Sequence, residues 1–291
     1  MRWLITGAGG FLGGYFCDAL ARNGNVVVAQ CRSHHPPGNV AQTIVADLAE
    51  TAAGHRVVSE GRPDVVIHCA AMTNVDECER DPAGAQRMNA GICGELAESC
   101  TRVGAKLVMI STDQLWRNAK PFATEDLPLD PAGVYGSTKA EGERLVATNP
   151  VHLILRTNFF GRGPNWRPSL SDTVLNTLRS GKIFYGFTDV FYTPIDVRIF
   201  AQWTVDAIQA GLQGIYHLGG RDRLSKYDFA TLLARRAGLD ASAIKQSTVA
   251  AAGLTTERPC EMSLNSNKIS RALNRELPSV EQSIASCLSA T

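Results

Sequence analysis

The chain begins with an apolar run, Trp3-Leu4-Ile5-Thr6, that breaks into Gly7-Ala8-Gly9-Gly10-Phe11-Leu12-Gly13 and continues into a segment of helical character over residues 11–23. Gly7, Gly10 and Gly13 therefore stand at G-x-x-G-x-x-G spacing on a strand-to-helix turn. Glycine permits the tight turn, bare backbone N–H groups can approach a pyrophosphate, and the helix N-terminus adds partial positive charge. A chain that opens this way is committed to a βα unit, and the pattern continues. Short apolar runs at 26–29, 43–46, 65–69, 107–110 and 152–155 alternate with helical-length segments at 48–60, 82–103 and 133–148. Unbroken apolar runs suit strands buried on both faces, and strand-helix-strand repetition implies parallel pairing with right-handed crossovers. The expected fold is α/β, a doubly wound parallel sheet of Rossmann type with a smaller C-terminal lobe. Helices are expected at 171–179, 196–210, 225–237, 266–273 and 280–288, with one more core strand at 214–218. The Rossmann domain then takes residues 1–157 and 187–218, and the lobe takes 158–186 and 219–291.

The 29 basic and 28 acidic residues leave a formal net charge of +1, which gives no general attraction to nucleic acid or to an anionic membrane. Any anionic ligand must be held locally, as the glycine turn would hold it. The N-terminus has no apolar h-region or cleavage site, and no stretch of 18 apolar residues occurs, so a cytoplasmic protein is expected. The eight cysteines include no C-x-x-C pair and read as reduced, mostly buried small hydrophobes. The histidines lack ligand spacing, and no metal is expected.

At the end of the second strand an acidic residue would favour NAD by binding the ribose 2′-hydroxyl. Here the segment is Gln30-Cys31-Arg32-Ser33, and the guanidinium of Arg32 suits the 2′-phosphate of NADP. Asp47 and Leu48, after the third strand, are placed to reach an adenine edge. Further on, Tyr135 and Lys139 stand at i and i+4, on one helix face. A phenol is a poor acid at neutral pH, and a neighbouring ammonium is expected to lower its pKa. Ile110-Ser111-Thr112-Asp113 brings hydroxyls to the carboxyl edge of the sheet, where ligands bind.

With these motifs the chain resembles the extended short-chain dehydrogenase/reductase superfamily and, within it, the dTDP-4-dehydrorhamnose reductase family. The carriers are TGAGGFLG (6–13), HCAAMTNVDECE (68–79), Met88-Asn89-Ala90, STDQLW (111–116), VYGSTKAEGE (134–143), LRTNFFG (155–161), GIYHLGG (214–220) and Arg258-Pro259. The resemblance implies NADPH-dependent reduction of a 4-keto group on a nucleotide-linked deoxysugar. By it, Tyr135 protonates the carbonyl oxygen, Lys139 binds the nicotinamide ribose and tunes Tyr135, and Thr112 hydrogen-bonds the substrate oxygen. Gly7, Gly10, Phe11, Leu12 and Gly13 line the pyrophosphate turn, and Cys69, Ala70 and Ala71 pass beneath the cofactor. Asn89 supports the site from its helix. Thr73, Gln114, Trp116, Phe159 and Arg258 fall at substrate-binding positions. The partner implied is a nucleotide-sugar substrate, for a monomer or homodimer.

Departures from the family concentrate in the substrate half. Gln114 stands where an aromatic hydroxyl is usual, Phe159 replaces a tryptophan, Pro168-Ser169-Leu170 replaces a glycine-asparagine-phenylalanine stretch, and Glu261 replaces an asparagine. Tyr15 occupies the position of an acidic magnesium ligand found in some members. Trp166, Phe184, Tyr185, Phe187, Phe191 and Tyr192 fall in the expected lobe, as core packing or as a surface for a nucleotide base. Two other readings are an epimerase of the same superfamily, which retains NAD, and a non-catalytic regulatory NADP-binding subunit like the β subunit of methionine adenosyltransferase.

Overall fold

Alternate residues of each apolar run face opposite helical layers in the computed structural model, which describes residues 1–289 apart from 37, 118 and 255. The chain runs β1 (Arg2–Thr6), α1 (Phe11–Arg22), β2 (Val26–Cys31), β3 (Gln42–Val45), α2 (Ala53–Gly61), β4 (Val65–His68), α3 (Val75–Arg80) and α4 (Pro82–Gln86). A π-helical turn (Arg87–Gly91) leads into α5 (Ile92–Val103), then β5 (Lys106–Ile110), α6 (Val134–Val146) and β6 (Leu153–Arg156). These strands and a later one form a seven-stranded parallel sheet. Trp3, Ile5, Val27, Ile67, Val108 and Leu155 point to one face, and Leu4, Val28, Val66, Met109 and Ile154 to the other, each set at the heart of its own core. Burying such side chains contributes roughly 1.5–3 kcal/mol apiece, so the period-two register is strongly specified.

After β6 the chain enters the smaller lobe through β7 (Phe159–Phe160), α7 (Leu170–Arg179), β8 (Phe184–Phe187) and β9 (Phe191–Tyr192). It returns through β10 (Ile195–Asp196) and α8 (Val197–Gln209) to β11 (Gly214–His217), the last strand of the large sheet, whose order is β11-β6-β5-β4-β1-β2-β3. The direction of strand addition reverses between β1 and β4, a switch point at whose carboxyl edge α/β proteins bind ligands. The lobe is completed by β12 (Leu224–Ser225), α9 (Lys226–Arg236), β13 (Ile244–Ser247), β14 (Glu261–Met262) and α11 (Val280–Leu288), with α10 (Asn267–Ala272) between the last two.

The elements follow the sequence pattern with instructive differences. Residues 184–192 pack in the lobe core with Phe160, Val174 and Phe229, and β9 pairs with β12 and β14. The crossing back to the large sheet therefore lies after Tyr192, beyond residue 187 where the sequence pattern puts it. The helix expected from residue 48 starts at Ala53, because Asp47 accepts the Ala49 N–H (2.9 Å) and Ala52 takes a left-handed conformation (φ 57°). The helix expected over 82–103 is interrupted by the π-helical turn, and α3 precedes it. Six of the eight cysteines are buried, Cys69 is half-buried and Cys260 is exposed, in keeping with the mostly buried set expected. α10 leaves the lobe, with Ile269 in the core of the large sheet and the Lys268 ammonium donating to the Ile215 carbonyl (2.6 Å). No helix among the described residues is long and apolar enough to cross a membrane.

Candidate active site

Gly7 ends β1 with φ +63°, and a Cβ there would lie 2.9 Å from the Ala70 backbone. A Cβ on Gly13 would lie 2.3 Å from the Gly7 carbonyl oxygen. The turn is thus closed on glycine at both positions, and the chain following β4 crosses directly under it at Ala70. Gly10 is the N-cap of α1 and carries no side chain to cap the helix, so the N–H groups of the first turn, at Phe11, Leu12 and Gly13, are left for an external anion. A dinucleotide pyrophosphate fits this cradle. Leu12 and Leu48 are buried in the two sheet cores, so only their backbone is available to a ligand. At the adenosine end, Arg32 is exposed and its guanidinium lies 3.9 Å from the Asp47 carboxylate.

Tyr135 and Lys139 project from α6 toward the ends of β4 and β5. The Tyr135 ring is buried beside Cys78, Ala85 and Met72, and the Thr112 hydroxyl is in hydrogen-bonding reach of its phenol. Burial pushes the phenol up to about 12, the opposite direction from the ammonium-lowered value expected from the sequence. The cause is geometric: Lys139 donates to the Ile110 carbonyl (2.7 Å), and the cation that lowers the phenol's value is Arg167. A phenol with so high a value keeps its proton across the neutral range, as a donor must. Burial likewise pushes Lys139 below the usual lysine range.

Around these groups the structure gathers Asp113, Glu143 and Arg167, to which sequence reasoning assigned no role, together with Asn89, which the resemblance had placed there. Asp113 is 2% exposed and accepts from Asn158 Nδ2 (2.6 Å), while burial pushes its carboxyl up to about 6. Glu143, one turn beyond Lys139 on α6, accepts from Nη2 and Nε of Arg156 (2.7 and 3.0 Å) and from the Ser111 hydroxyl (2.5 Å). Asn89, inside the π-helical turn, accepts the Met72 N–H and donates to the Met72 carbonyl (both 2.9 Å) and to Thr138 (3.2 Å), tying the chain after β4 to α6. π-turns of this kind are common at functional sites. Arg167, in the loop before α7, donates to the Thr73 hydroxyl, and the nearby Trp166 ring stacks on His34 at 4.1 Å. The departure from the family at residues 168–170 and the aromatic Trp166 were the signals that pointed to this loop.

The substrate-position residues separate. Thr73, Gln114 and Arg258 lie on the rim, Arg258 donating to Asp76 (2.8 Å). Trp116 is 3% exposed, donates to the Pro128 carbonyl (3.0 Å), and packs against both His217 and Arg156. Phe159 lies edge-on to Phe11 of the glycine turn at 5.5 Å and near Phe200. The Tyr15 hydroxyl donates to the Arg162 carbonyl (3.0 Å). Burial raises the Cys17, Cys69 and Cys93 thiols, so none is a ready thiolate.

A glycine-turn Rossmann sheet with a Thr-Tyr-Lys cluster at its carboxyl edge and a lobe over the cleft defines a protein of the extended short-chain dehydrogenase/reductase type. The chain belongs to the family described as the RmlD substrate binding domain, whose model matches residues 1–291. It is 30% identical over 297 residues to the "probable low-salt glycan biosynthesis reductase Agl14" of Haloferax volcanii, covering 98% of this chain and 96% of that protein. It is 29% identical to the dTDP-4-dehydrorhamnose reductase of Salmonella typhimurium, over 97% of this chain and 95% of that one. The crystal structure of the dTDP-4-dehydrorhamnose reductase of Bacillus anthracis in complex with NADP superposes with a TM-score of 0.86 at 25% identity, covering 100% and 98% of the two chains.

Proposed function

We propose that this protein reduces the 4-keto group of a nucleotide-linked 6-deoxyhexose, with dTDP-4-dehydrorhamnose as substrate and NADPH as the reductant. The observation that carries this reading is the convergence of Thr112, Tyr135 and Lys139 beside a glycine turn with an uncapped helix start. NADPH, when bound, supplies the hydride. Thr112 and Tyr135 hold the carbonyl oxygen between a hydroxyl and a phenol, and Tyr135 gives up its proton as negative charge develops there. Lys139 then stabilises the phenolate from the same helix face. Its ammonium also donates to the Ile110 carbonyl (2.7 Å), which fixes it at the carboxyl edge of the sheet. Arg258, held by Asp76 at 2.8 Å, is a cation available to the diphosphate of the substrate.

The test is absorbance loss of NADPH with dTDP-4-dehydrorhamnose. Steady consumption is expected, and Tyr135→Phe should lower kcat by at least about 100-fold with NADPH affinity unchanged. Interconversion of nucleotide sugars without net NADPH consumption would instead make the protein an epimerase. A variant that keeps full activity would remove Tyr135 as the acid.

A further inference from the structure

Lys226 is the first residue of α9, capped by Ser225, which accepts the Asp228 N–H (3.0 Å). A lysine at this position is opposed by the helix dipole, and half-burying its ammonium adds a desolvation cost. Something in the site must repay both. The ammonium lies over the Tyr192 ring, 3.3 Å from its centroid, and it forms no hydrogen bond or ion pair with any described residue. The opposite charge within its electrostatic reach is Asp113, with which it makes no ion pair. The Tyr192 hydroxyl in the same spot is buried and also has no hydrogen-bond partner. A buried donor without an acceptor is destabilising. An ammonium and a phenol without hydrogen-bonding partners thus lie within electrostatic reach of one carboxylate.

The distance between Asp113 and Thr112 says which substrate atom they meet. The Asp113 Oδ1 and Thr112 Oγ1 atoms are 3.4 Å apart, so an oxygen bonded to the carboxylate neighbours the oxygen bonded to Thr112. On the proposed substrate Thr112 holds the carbonyl oxygen at C4. Oxygens on adjacent ring carbons can reach two such neighbouring partners. C5 of a 6-deoxyhexose carries the ring oxygen and the methyl group, so the only adjacent hydroxyl is that at C3. We infer that Lys226 and Asp113 form a donor-acceptor bridge for the C3 hydroxyl of the 4-keto sugar, with the hydroxyl oxygen accepting from Lys226 and its proton donated to Asp113. Lys226 is thereby a specificity-determining residue contributed by the lobe, selecting 4-ketohexoses that keep a free hydroxyl beside the reacting carbon.

This inference rests on the 4-ketoreductase reading, and a substrate-by-variant cycle separates the two. The probes are dTDP-4-dehydrorhamnose and its 3-deoxy analogue, each with NADPH, against the wild type, Lys226→Met and Lys226→Gln. A charge-assisted hydrogen bond of ordinary strength predicts that either substitution lowers kcat/KM for the parent sugar by about 10–100-fold. It should lower kcat/KM for the 3-deoxy analogue by less than about twofold, with NADPH affinity unchanged. Lys226→Gln retains a long polar side chain and serves if the Met variant fails to fold. Equal losses on both sugars would overturn the bridge and leave Lys226 a packing residue. Failure of the wild type to reduce either sugar, with NADPH still bound, would overturn the functional reading and the bridge with it.

Discussion

Asp113 sits where two demands conflict: beside Thr112 its carboxylate is useful as an acceptor, yet the site is dry enough to push its pKa up to about 6. Unfolded, the same carboxyl titrates near about 4. A raised value means that the folded state holds the proton more tightly, so this group's contribution to stability is complete below about pH 4 and lost as pH rises through about 6. The size is at most about 3 kcal/mol. Asp113→Asn removes the charge and keeps the shape, so its Tm should exceed that of the wild type at pH 8 and the advantage should shrink toward pH 4. Melting curves across that range decide it; a Tm difference independent of pH would mean that the carboxyl is not strained by burial. Activity should move the other way. Wild-type kcat/KM should fall as pH drops through about 6, where the carboxyl gains a proton and ceases to accept, and the pH profile of the Asn variant should lack that limb. The Thr112-Asp113 pair was visible in the sequence as the polar end of an apolar strand, but the dryness around it was not. Asn158, Tyr192 and Lys226 come from three other elements, and no local pattern brings them together.

α6 shows what one element makes legible and what it hides. Tyr135, Lys139 and Glu143 at four-residue intervals lie along one face, so the first two could be read as a pair from spacing alone. The third needs Arg156 of β6 and Ser111 after β5, both remote in sequence. Glu143 and Arg156 have side chains only 3% exposed, and removing one partner of such a pair strands a buried charge at a cost of about 3–5 kcal/mol. Glu143→Gln should lower unfolding stability by that amount in urea titration. Glu143→Gln combined with Arg156→Met should cost less than the sum of the two single changes, and strict additivity would show that the pair is not coupled. Because the pair anchors the helix that carries Tyr135, Glu143→Gln should also lower kcat with little change in KM. The π-helical turn escaped the sequence reading for a related reason. Residues 82–103 keep a helical apolar pattern throughout, and the widened turn is evident only once Asn89 is seen to bond both backbone groups of Met72.

At the scale of the whole molecule the large sheet was legible almost strand by strand, since continuous apolar runs have one consistent use in a parallel sheet. The lobe was not: its strands are two to four residues long, and they are held by pairings across sequence distances that leave no periodic trace. Lobe residues meet the large domain at Arg167 to Thr73, Arg258 to Asp76 and Trp166 on His34, among other contacts. With a net charge of +1 the molecule has no broad positive field to hold a dinucleotide, so discrimination between NADPH and NADH must come from groups placed at the 2′-position. Arg32 at the end of β2 is such a group, exposed and only loosely paired with Asp47 at 3.9 Å, and therefore free to turn to a phosphate. One exposed charge-assisted contact corresponds to about tenfold in affinity. Arg32→Ala should raise the Kd for NADPH by about that factor and leave the Kd for NADH within about twofold. Salt should narrow the wild type's preference, because an exposed pair is screened within about 8–10 Å at ordinary ionic strength. Titration of both cofactors against the two proteins at low and high salt measures each term; an equal loss of both cofactors would place Arg32 away from the 2′-phosphate and leave the uncapped start of α1 as the sole anion site at this end of the sheet.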